Sequence, residues 1–456
     1  MYDIIIIGAG TAGIAAYKEA IKYTQNILIF NHGPWDTTCA RVGCMPSKVL
    51  ISTANRMHDI KTANQLALNV QSTIDTSEVM TYVRTLRDRF TGATQRDVDQ
   101  WQQEHKISGQ VSFKNTNTIV AHNKEYQAKA FIIAVGSTPS YEQSWKDELG
   151  SRLITSDQVF ELDMLPKSIA VIGSGVIAIE LAQAMHRLGV ATTIFTRSRK
   201  VGSLTSPNLQ ELVQKTLSQE LNIKFEILPR SVKKTENGVQ ILYQEYSEQK
   251  QLNVDYLLVA TGRKSLLTTL NLGSISKEFA DIKNLKVDPN TKQLSNLPIF
   301  ITGDALTSTP LQHEAVNEGR GAVHNCLDYP QVKTIKNLIP LSIVFSSPEM
   351  ATAGQSYKQL KSQNIEFITG FISYEKQGRA IVLAKSKGAI EVYIDKTTRK
   401  LLGAELFVDS AEHMAHLLSW MIHQGVTLDD VLDQAYYHPT LEEGLRTAFK
   451  HARRQL

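Results

Sequence analysis

An unbroken apolar run that ends in a glycine turn and passes straight into a helical pattern occurs twice in this 456-residue chain. The first copy reads Ile4-Ile5-Ile6-Ile7-Gly8-Ala9-Gly10-Thr11-Ala12-Gly13. The second reads Ile169-Ala170-Val171-Ile172-Gly173-Ser174-Gly175-Val176-Ile177-Ala178. A run that is apolar at every position, rather than at alternate ones, suits a parallel strand covered on both faces. Glycines spaced G-x-G-x-x-G or G-x-G-x-x-A let the backbone turn tightly and approach a pyrophosphate at a helix N-terminus. One such pattern is often only a tight turn. Two, each between an apolar strand and a helix, predict two dinucleotide-binding modules. Residues 131–136 and 256–262 repeat the correspondence, each a strand ending in a glycine. The candidate cofactor-contacting glycines are therefore Gly8, Gly10, Gly13 and Gly136 in one module, and Gly173, Gly175 and Gly262 in the other.

Composition narrows the class. The 49 basic and 45 acidic residues are intermixed and leave a net charge of +4, too balanced to point to nucleic acid. No apolar run reaches the roughly 18 residues of a spanning helix, and no charged leader with a cleavage site precedes Ile4. Three cysteines are too few for a disulfide scaffold, so a reducing, cytoplasmic setting is expected.

Two of those cysteines lie close together in Thr38-Cys39-Ala40-Arg41-Val42-Gly43-Cys44-Met45-Pro46-Ser47-Lys48, about one βαβ unit after the first fingerprint. A dithiol exchanges two electrons as a disulfide, which matches a hydride equivalent from a flavin or nicotinamide. Five residues of regular helix advance roughly 7.5 Å, too far for a disulfide, so the stretch must be irregular for the sulfurs to meet. Gly43 offers the freedom, and Pro46 suits the first turn of a helix that would carry Cys44 at its start. Arg41 and Lys48 would add positive charge nearby. The bland readings are a zinc half-site, for which matched ligands are missing, and two inert core cysteines.

Further along, residues 55–110 carry helical periodicity. The segment 297–305 reads as a strand ending at Asp304. From about Ile339 the pattern becomes that of an antiparallel sheet at 342–345, 389–394 and 401–406, with helices at 410–425 and 427–434. The expected architecture is α/β: two Rossmann-like dinucleotide-binding domains plus a C-terminal α+β domain.

In this order, the first fingerprint, the Cys39…Cys44-Met45-Pro46-Ser47-Lys48 motif, the second fingerprint, Thr302-Gly303-Asp304 and His438-Pro439-Thr440-Leu441-Glu442-Glu443 resemble the FAD-dependent pyridine nucleotide–disulfide oxidoreductases over essentially the whole chain. The resemblance implies an FAD-binding domain at 1–148 and 273–336, an inserted NAD(P)-binding domain at 149–272, and a dimerisation (interface) domain at 337–456. It also implies roles. Gly8, Gly10 and Gly13 would hold the FAD pyrophosphate, and Asp304 the ribityl chain. Cys44 would be the thiolate against the flavin and Cys39 the interchange thiol. Lys48 and Glu180 would pair near the flavin's reactive edge. His438, oriented by Glu443, would be the acid–base residue, supplied by the partner subunit of a homodimer. Taken locally, Lys48 and Glu180 are also ordinary charges, Asp304 a helix cap, and Thr440…Glu443 a capping box. Cys326 reads as a structural helix residue. His313 matches a segment that approaches the flavin in the family, or caps a helix.

The chain departs from the family pattern in two places. Asn31 stands where an acid for the adenosine ribose is usual, though an amide still hydrogen-bonds a hydroxyl. In the second module, Thr196 replaces the acid of NAD-specific members and is followed by Arg197-Ser198-Arg199-Lys200. Arg197 and Arg199 would hold a 2′-phosphate, which favours NADP(H) over NAD(H); a solvated basic loop is the bland alternative. Other segments, including Val176, look like the dihydrolipoamide dehydrogenase branch. The expected activity is thus electron transfer between nicotinamide, FAD, the Cys39–Cys44 couple and a small dithiol or disulfide. Lipoamide leads, a glutathione-like disulfide reduced by NADPH comes second, and membership of a 2-oxoacid dehydrogenase complex is conceivable. A transhydrogenase with idle cysteines and a non-catalytic scaffold subunit are the rivals from other classes. No metal, nucleic acid or membrane partner is expected.

Overall fold

The computed structural model describes residues 1–306 and 310–456, and the chain divides into two compact units. The first comprises Met1–Pro46, Tyr82–Ser140 and Gly262–Leu338. Its sheet places Lys106–Ser108, Ile27–Asn31, Tyr2–Ile7, Lys124–Ile133 and Ile299–Ile301 side by side, all parallel. An antiparallel extension, Thr118–Ala121 and Ser112–Asn115, continues from Lys124–Ile133. The four-isoleucine run is buried on both faces, as its lack of alternation requires. Ile4 and Ile6 join a core with Tyr17, Ala20, Ala322 and Val323, beneath helices Thr11–Ala20 and Gln312–Asp328. Ile5 and Ile7 face Phe113, Phe131, Leu270 and Phe279 on the other side. The two helices approach closely because position 319 is glycine: a Cβ there would sit 2.3 Å from the Ala12 carbonyl oxygen.

The second unit comprises Ser47–Thr81, Tyr141–Thr261 and Ile339–Leu456. Its parallel sheet runs Asn222–Lys224, Ala191–Phe195, Ser168–Ile172, Tyr256–Val259, Leu153–Ile154, with the three-stranded antiparallel sheet Pro229–Thr235, Gly238–Glu245, Glu248–Val254 beside it in sequence. The C-terminal sheet is wholly antiparallel, in the order Leu341–Val344, Glu349–Gly354, Leu401–Val408, Ala389–Asp395, Phe367–Ser373. Helices Ala411–Gln424 and Glu443–Arg453 bury Met414, Ala415, Leu418, Leu445 and Phe449 in the core over it. The expected helix at 427–434 is shorter, Leu428–Leu432, started by a capping box in which Thr427 and Asp430 satisfy each other's backbone N–H groups.

Candidate redox and dinucleotide sites

Between the two cysteines the chain breaks helix, as the spacing demands. A four-residue turn of helix, Thr38–Arg41, is capped by Thr37, whose hydroxyl oxygen accepts the Ala40 N–H at 3.1 Å. Val42 and Gly43 follow, and the helix Cys44–Lys61 starts on the second cysteine itself. Gly43 serves here through close approach, not through an unusual φ. A Cβ on it would lie 3.1 Å from the Cys39 Cα and 3.0 Å from the Thr38 carbonyl oxygen. The second cysteine is thereby folded back toward the first. Cys39 is half-buried and Cys44 exposed, in the first turn of an 18-residue helix where the peptide dipoles favour a thiolate.

The two nearby cations have other employment. Arg41 forms a two-pronged pair with the buried Asp36, its Nε donating at 2.9 Å to Oδ1, so its charge is compensated within the loop. Lys48 Nζ donates to Glu180 Oε2 at 2.9 Å. Glu180, only 4% exposed, also accepts the Phe345 N–H at 2.8 Å through Oε1, and the Phe345 ring backs the Lys48 ammonium at 4.6 Å. Glu180 is therefore not a solvated surface charge, and the half-buried Lys48 is tied to it. Both are fixed by a third residue that sequence reading did not single out, in a strand-to-loop segment remote in sequence.

The glycine turns distinguish packing from open space. Gly8 has φ +105°, and a Cβ on it would lie 2.4 Å from the Ala134 carbonyl oxygen; one on Gly13 would lie 1.8 Å from Gly8 O. Those two are required by the strand–turn–helix contact. Gly10, the helix N-cap at φ −79°, would meet no protein atom within 4 Å. The second module repeats the arrangement: Gly173 at φ +126° has Ala260 O at 2.5 Å, whereas the N-cap Gly175 faces open space. Gly136 and Gly262 also have positive φ and open surroundings. In each module the middle glycine thus leaves a side-chain-free gap beside helix N–H groups, which fits the pyrophosphate of a dinucleotide.

Asn31 is largely committed within the first module. Its Oδ1 accepts the Ala9 N–H at 3.0 Å, and its Nδ2 donates to the Gly33 and Pro34 carbonyls at 3.2 and 2.8 Å. This explains asparagine in place of an acid, because a carboxylate could not donate to those carbonyls. Asp304 lies in the turn Gly303–Ala305 after the Ile299–Ile301 strand. Burial and the neighbouring Glu318 charge raise its pKa above the ordinary value, against the pull of Arg263. Glu318 accepts the Gly303 N–H at 2.7 Å and pairs with Lys292 at 2.8 Å, holding the turn from the Gln312–Asp328 helix. Neither residue was identified in the sequence, where each looks like an ordinary helix or turn charge.

In the second module the buried Thr196 hydroxyl donates to the Ser198 carbonyl at 2.6 Å and shapes the basic loop. Arg197, Arg199 and Lys200 are exposed. Arg199 lies over the Phe225 ring at 5.1 Å, and none of the three meets a carboxylate among the described residues. Near the C-terminus, His438 Nδ1 stands 3.1 and 3.2 Å from the two Glu443 oxygens, while Glu443 Oε2 accepts the Thr440 N–H at 3.0 Å. Glu443 thus touches both the His438 ring and the Thr440 N–H, while the helix Glu443–Arg453 takes Glu442, not Thr440, as its N-cap. The box is only half closed, because the Thr440 hydroxyl turns back to the Tyr437 carbonyl at 2.8 Å. Glu443 has its pKa lowered, first by the Thr440 N–H and then by His438. His313 sits in the first turn of its helix with Nε2 buried and without a hydrogen-bond partner among the described residues. Cys326 is buried in the core, which pushes its thiol well up.

Among the described residues there is no cluster of metal-ligating side chains and no helix long and apolar enough to cross a membrane. Residues 2–319 match the family model described as pyridine nucleotide-disulphide oxidoreductase, and residues 340–449 match that family's dimerisation domain. A dihydrolipoyl dehydrogenase of Geobacillus stearothermophilus is 28% identical over 448 residues, covering 97% of this chain and 94% of the relative. A mercuric reductase of Staphylococcus aureus is 28% identical over 461 residues, covering 98% and 82%. Among solved structures, the HOCl-induced flavoprotein disulfide reductase RclA from Escherichia coli, in its Cu(II) complex, has a TM-score of 0.80. It is 19% identical and covers 98% of this chain and 99% of its own, a likeness of fold. The chain belongs to the FAD-dependent pyridine nucleotide-disulphide oxidoreductase family and carries that family's dimerisation domain.

Proposed function

We propose that the protein transfers electron pairs between a nicotinamide dinucleotide and a small dithiol or disulfide through bound FAD and the Cys39–Cys44 couple. The observation that carries this reading is the helix that begins on Cys44, with Gly43 folding the chain back onto Cys39. FAD would be held at the first glycine turn and by Asp304, and the nicotinamide dinucleotide at the second turn. When bound, FAD would supply the two-electron chemistry that links a nicotinamide hydride to the thiol pair.

In the reductive direction the Cys39 thiolate attacks one sulfur of the substrate disulfide and expels the other as a thiolate. His438, its ring held by Glu443 and supplied by the partner of a homodimer, donates a proton to that leaving sulfur. Cys44 then attacks the sulfur of Cys39 in the mixed disulfide, releasing the second substrate thiol. Two electrons have left the protein and a Cys39–Cys44 disulfide remains. The Phe345-buttressed Lys48–Glu180 pair keeps one buried carboxylate compensated beside the nicotinamide module's helix.

Lipoamide and dihydrolipoamide are the leading substrate pair, supported by the length-wide similarity to dihydrolipoyl dehydrogenases. A low-molecular-weight disulfide reduced by NADPH is the second reading, favoured by the acid-free Arg197–Lys200 loop, where each charge-assisted phosphate contact is worth about 1.5–3 kcal/mol. Anaerobic titration of the flavin with NADH and NADPH separately, followed by lipoamide or glutathione disulfide, tests both. Flavin bleached by a nicotinamide but never reoxidised by a disulfide would leave the transhydrogenase reading standing. In Cys44→Ser the proposed reading expects disulfide turnover to vanish, whereas the transhydrogenase alternative expects nucleotide-to-nucleotide turnover to stay intact.

A further inference from the structure

Helices Cys44–Lys61 and Val176–Arg187 end beside one another in the second unit, and a cavity of about 360 Å³ opens there. It is lined by His58 and Lys61 from the first helix, His186 and Arg187 from the second, Gln219 and Glu220 from the segment after helix Pro207–Leu217, and Lys387 from a distant loop. That volume lies at the small end of ligand sites, about 300–1,000 Å³.

The charges do not balance within the cavity. Glu220 is the one acid in the lining, and it is already matched. Arg187 donates to it through Nε at 2.6 Å and Nη2 at 3.0 Å, and Gln183 adds a bond at 2.9 Å. Those contacts keep its pKa low despite burial. Lys61 Nζ reaches only the Arg187 carbonyl, at 3.1 Å, and neither Lys61, His186 nor Lys387 meets a carboxylate among the described residues. His58 is 3.7 Å from a Glu220 oxygen. Burial, Arg187 and Lys387 hold its pKa down, outweighing the opposing pull of Glu220 and Asp59. Cations near a helix C-terminus complement its dipole, which accounts for Lys61 and His186. It does not account for Lys387, brought from another element to the same concavity.

We propose that this cavity, whose lining includes neither a residue of the glycine turns nor a thiol, binds a small phosphate-bearing anion. The available donors are ammonium and imidazole groups that spread around a tetrahedral phosphate. The planar fork of Arg187, which would suit a carboxylate, is occupied by Glu220.

The test is calorimetric titration of the FAD-loaded enzyme with inorganic phosphate, using wild type, Lys387→Gln, Lys61→Gln/Lys387→Gln and Arg197→Gln. Lys387 is exposed, so its replacement leaves the fold intact. Loss of one charge-assisted contact predicts about tenfold weaker binding in Lys387→Gln, a further loss in the double variant, and no change in Arg197→Gln. Three outcomes overturn the proposal: no saturable binding by wild type at millimolar phosphate, equal affinity in Lys387→Gln, or weakening only in Arg197→Gln, which places the ligand at the 2′-phosphate position of the dinucleotide site. None of them bears on the thiol chemistry.

Discussion

Replacing Gly175 by alanine separates a glycine kept for a ligand from one kept for packing. Gly175 caps its helix at φ −76° and ψ −176°, a conformation any residue adopts, and a Cβ there touches nothing within 4 Å. The gain from restricting the unfolded chain, about 0.4–1 kcal/mol, opposes a slightly poorer N-cap, so stability should change by less than about 1 kcal/mol. If a pyrophosphate approaches this turn, the methyl group pushes it off the helix N–H donors. Losing one charge-assisted bond costs about 1.5–3 kcal/mol, or roughly ten- to a hundredfold in KM for the nicotinamide dinucleotide. Gly173→Ala is the contrasting control. At φ +126°, with Ala260 O 2.5 Å from the new Cβ, it should destabilise by at least about 1–3 kcal/mol. Thermal unfolding of the purified variants and steady-state kinetics against NADH and NADPH read both quantities. A folded Gly175→Ala enzyme with unchanged KM would refute the assignment of this turn to the dinucleotide, and a fully stable Gly173→Ala would refute the packing argument.

Three further outcomes are expected. Asn31→Asp should lose on the order of 1–3 kcal/mol in denaturant unfolding, because the Gly33 and Pro34 carbonyls lose their donor and face a carboxylate; equal stability would show that the loop does not depend on that amide. Burial pushes the Glu349 carboxyl up to about 7, above its unfolded value near 4.3, so the folded state holds the extra proton and stability falls as pH rises between those values. Glu349→Gln keeps an acceptor for the Glu412 N–H and should match wild type near pH 5 while exceeding it near pH 8, by on the order of 2–3 kcal/mol; parallel stability profiles would rule this out. Mixing His438→Ala with Cys39→Ser should restore disulfide turnover through heterodimers, and absence of rescue despite demonstrated subunit exchange would mean that the site is built within one chain.

The α/β class, the two nucleotide modules and the antiparallel C-terminal sheet were legible in the sequence, for a local reason. An isoleucine run without alternation, a glycine spacing and a helix that must begin after Pro-compatible or capping residues are set by backbone sterics and by burial on one or both faces of a strand. The irregular link between Cys39 and Cys44 was legible in the same way, since five residues of helix are too long for a disulfide. What Gly43 does there was not: its role is a close approach to Cys39, which is a distance between backbones. Likewise the sequence presents Arg41 as a cation near thiols, whereas Asp36 compensates it; Lys48 and Glu180 pair as the family resemblance implies, though no local signal links them; Asn31 reads as a ribose ligand, whereas its amide is bonded to three backbone groups. Phe345, Glu318 and Lys387 carry no local signal at all. Each matters only through a partner more than ten residues away, and charge compensation, hydrogen-bond satisfaction and concavity are properties of that proximity, which the chain acquires only when it folds.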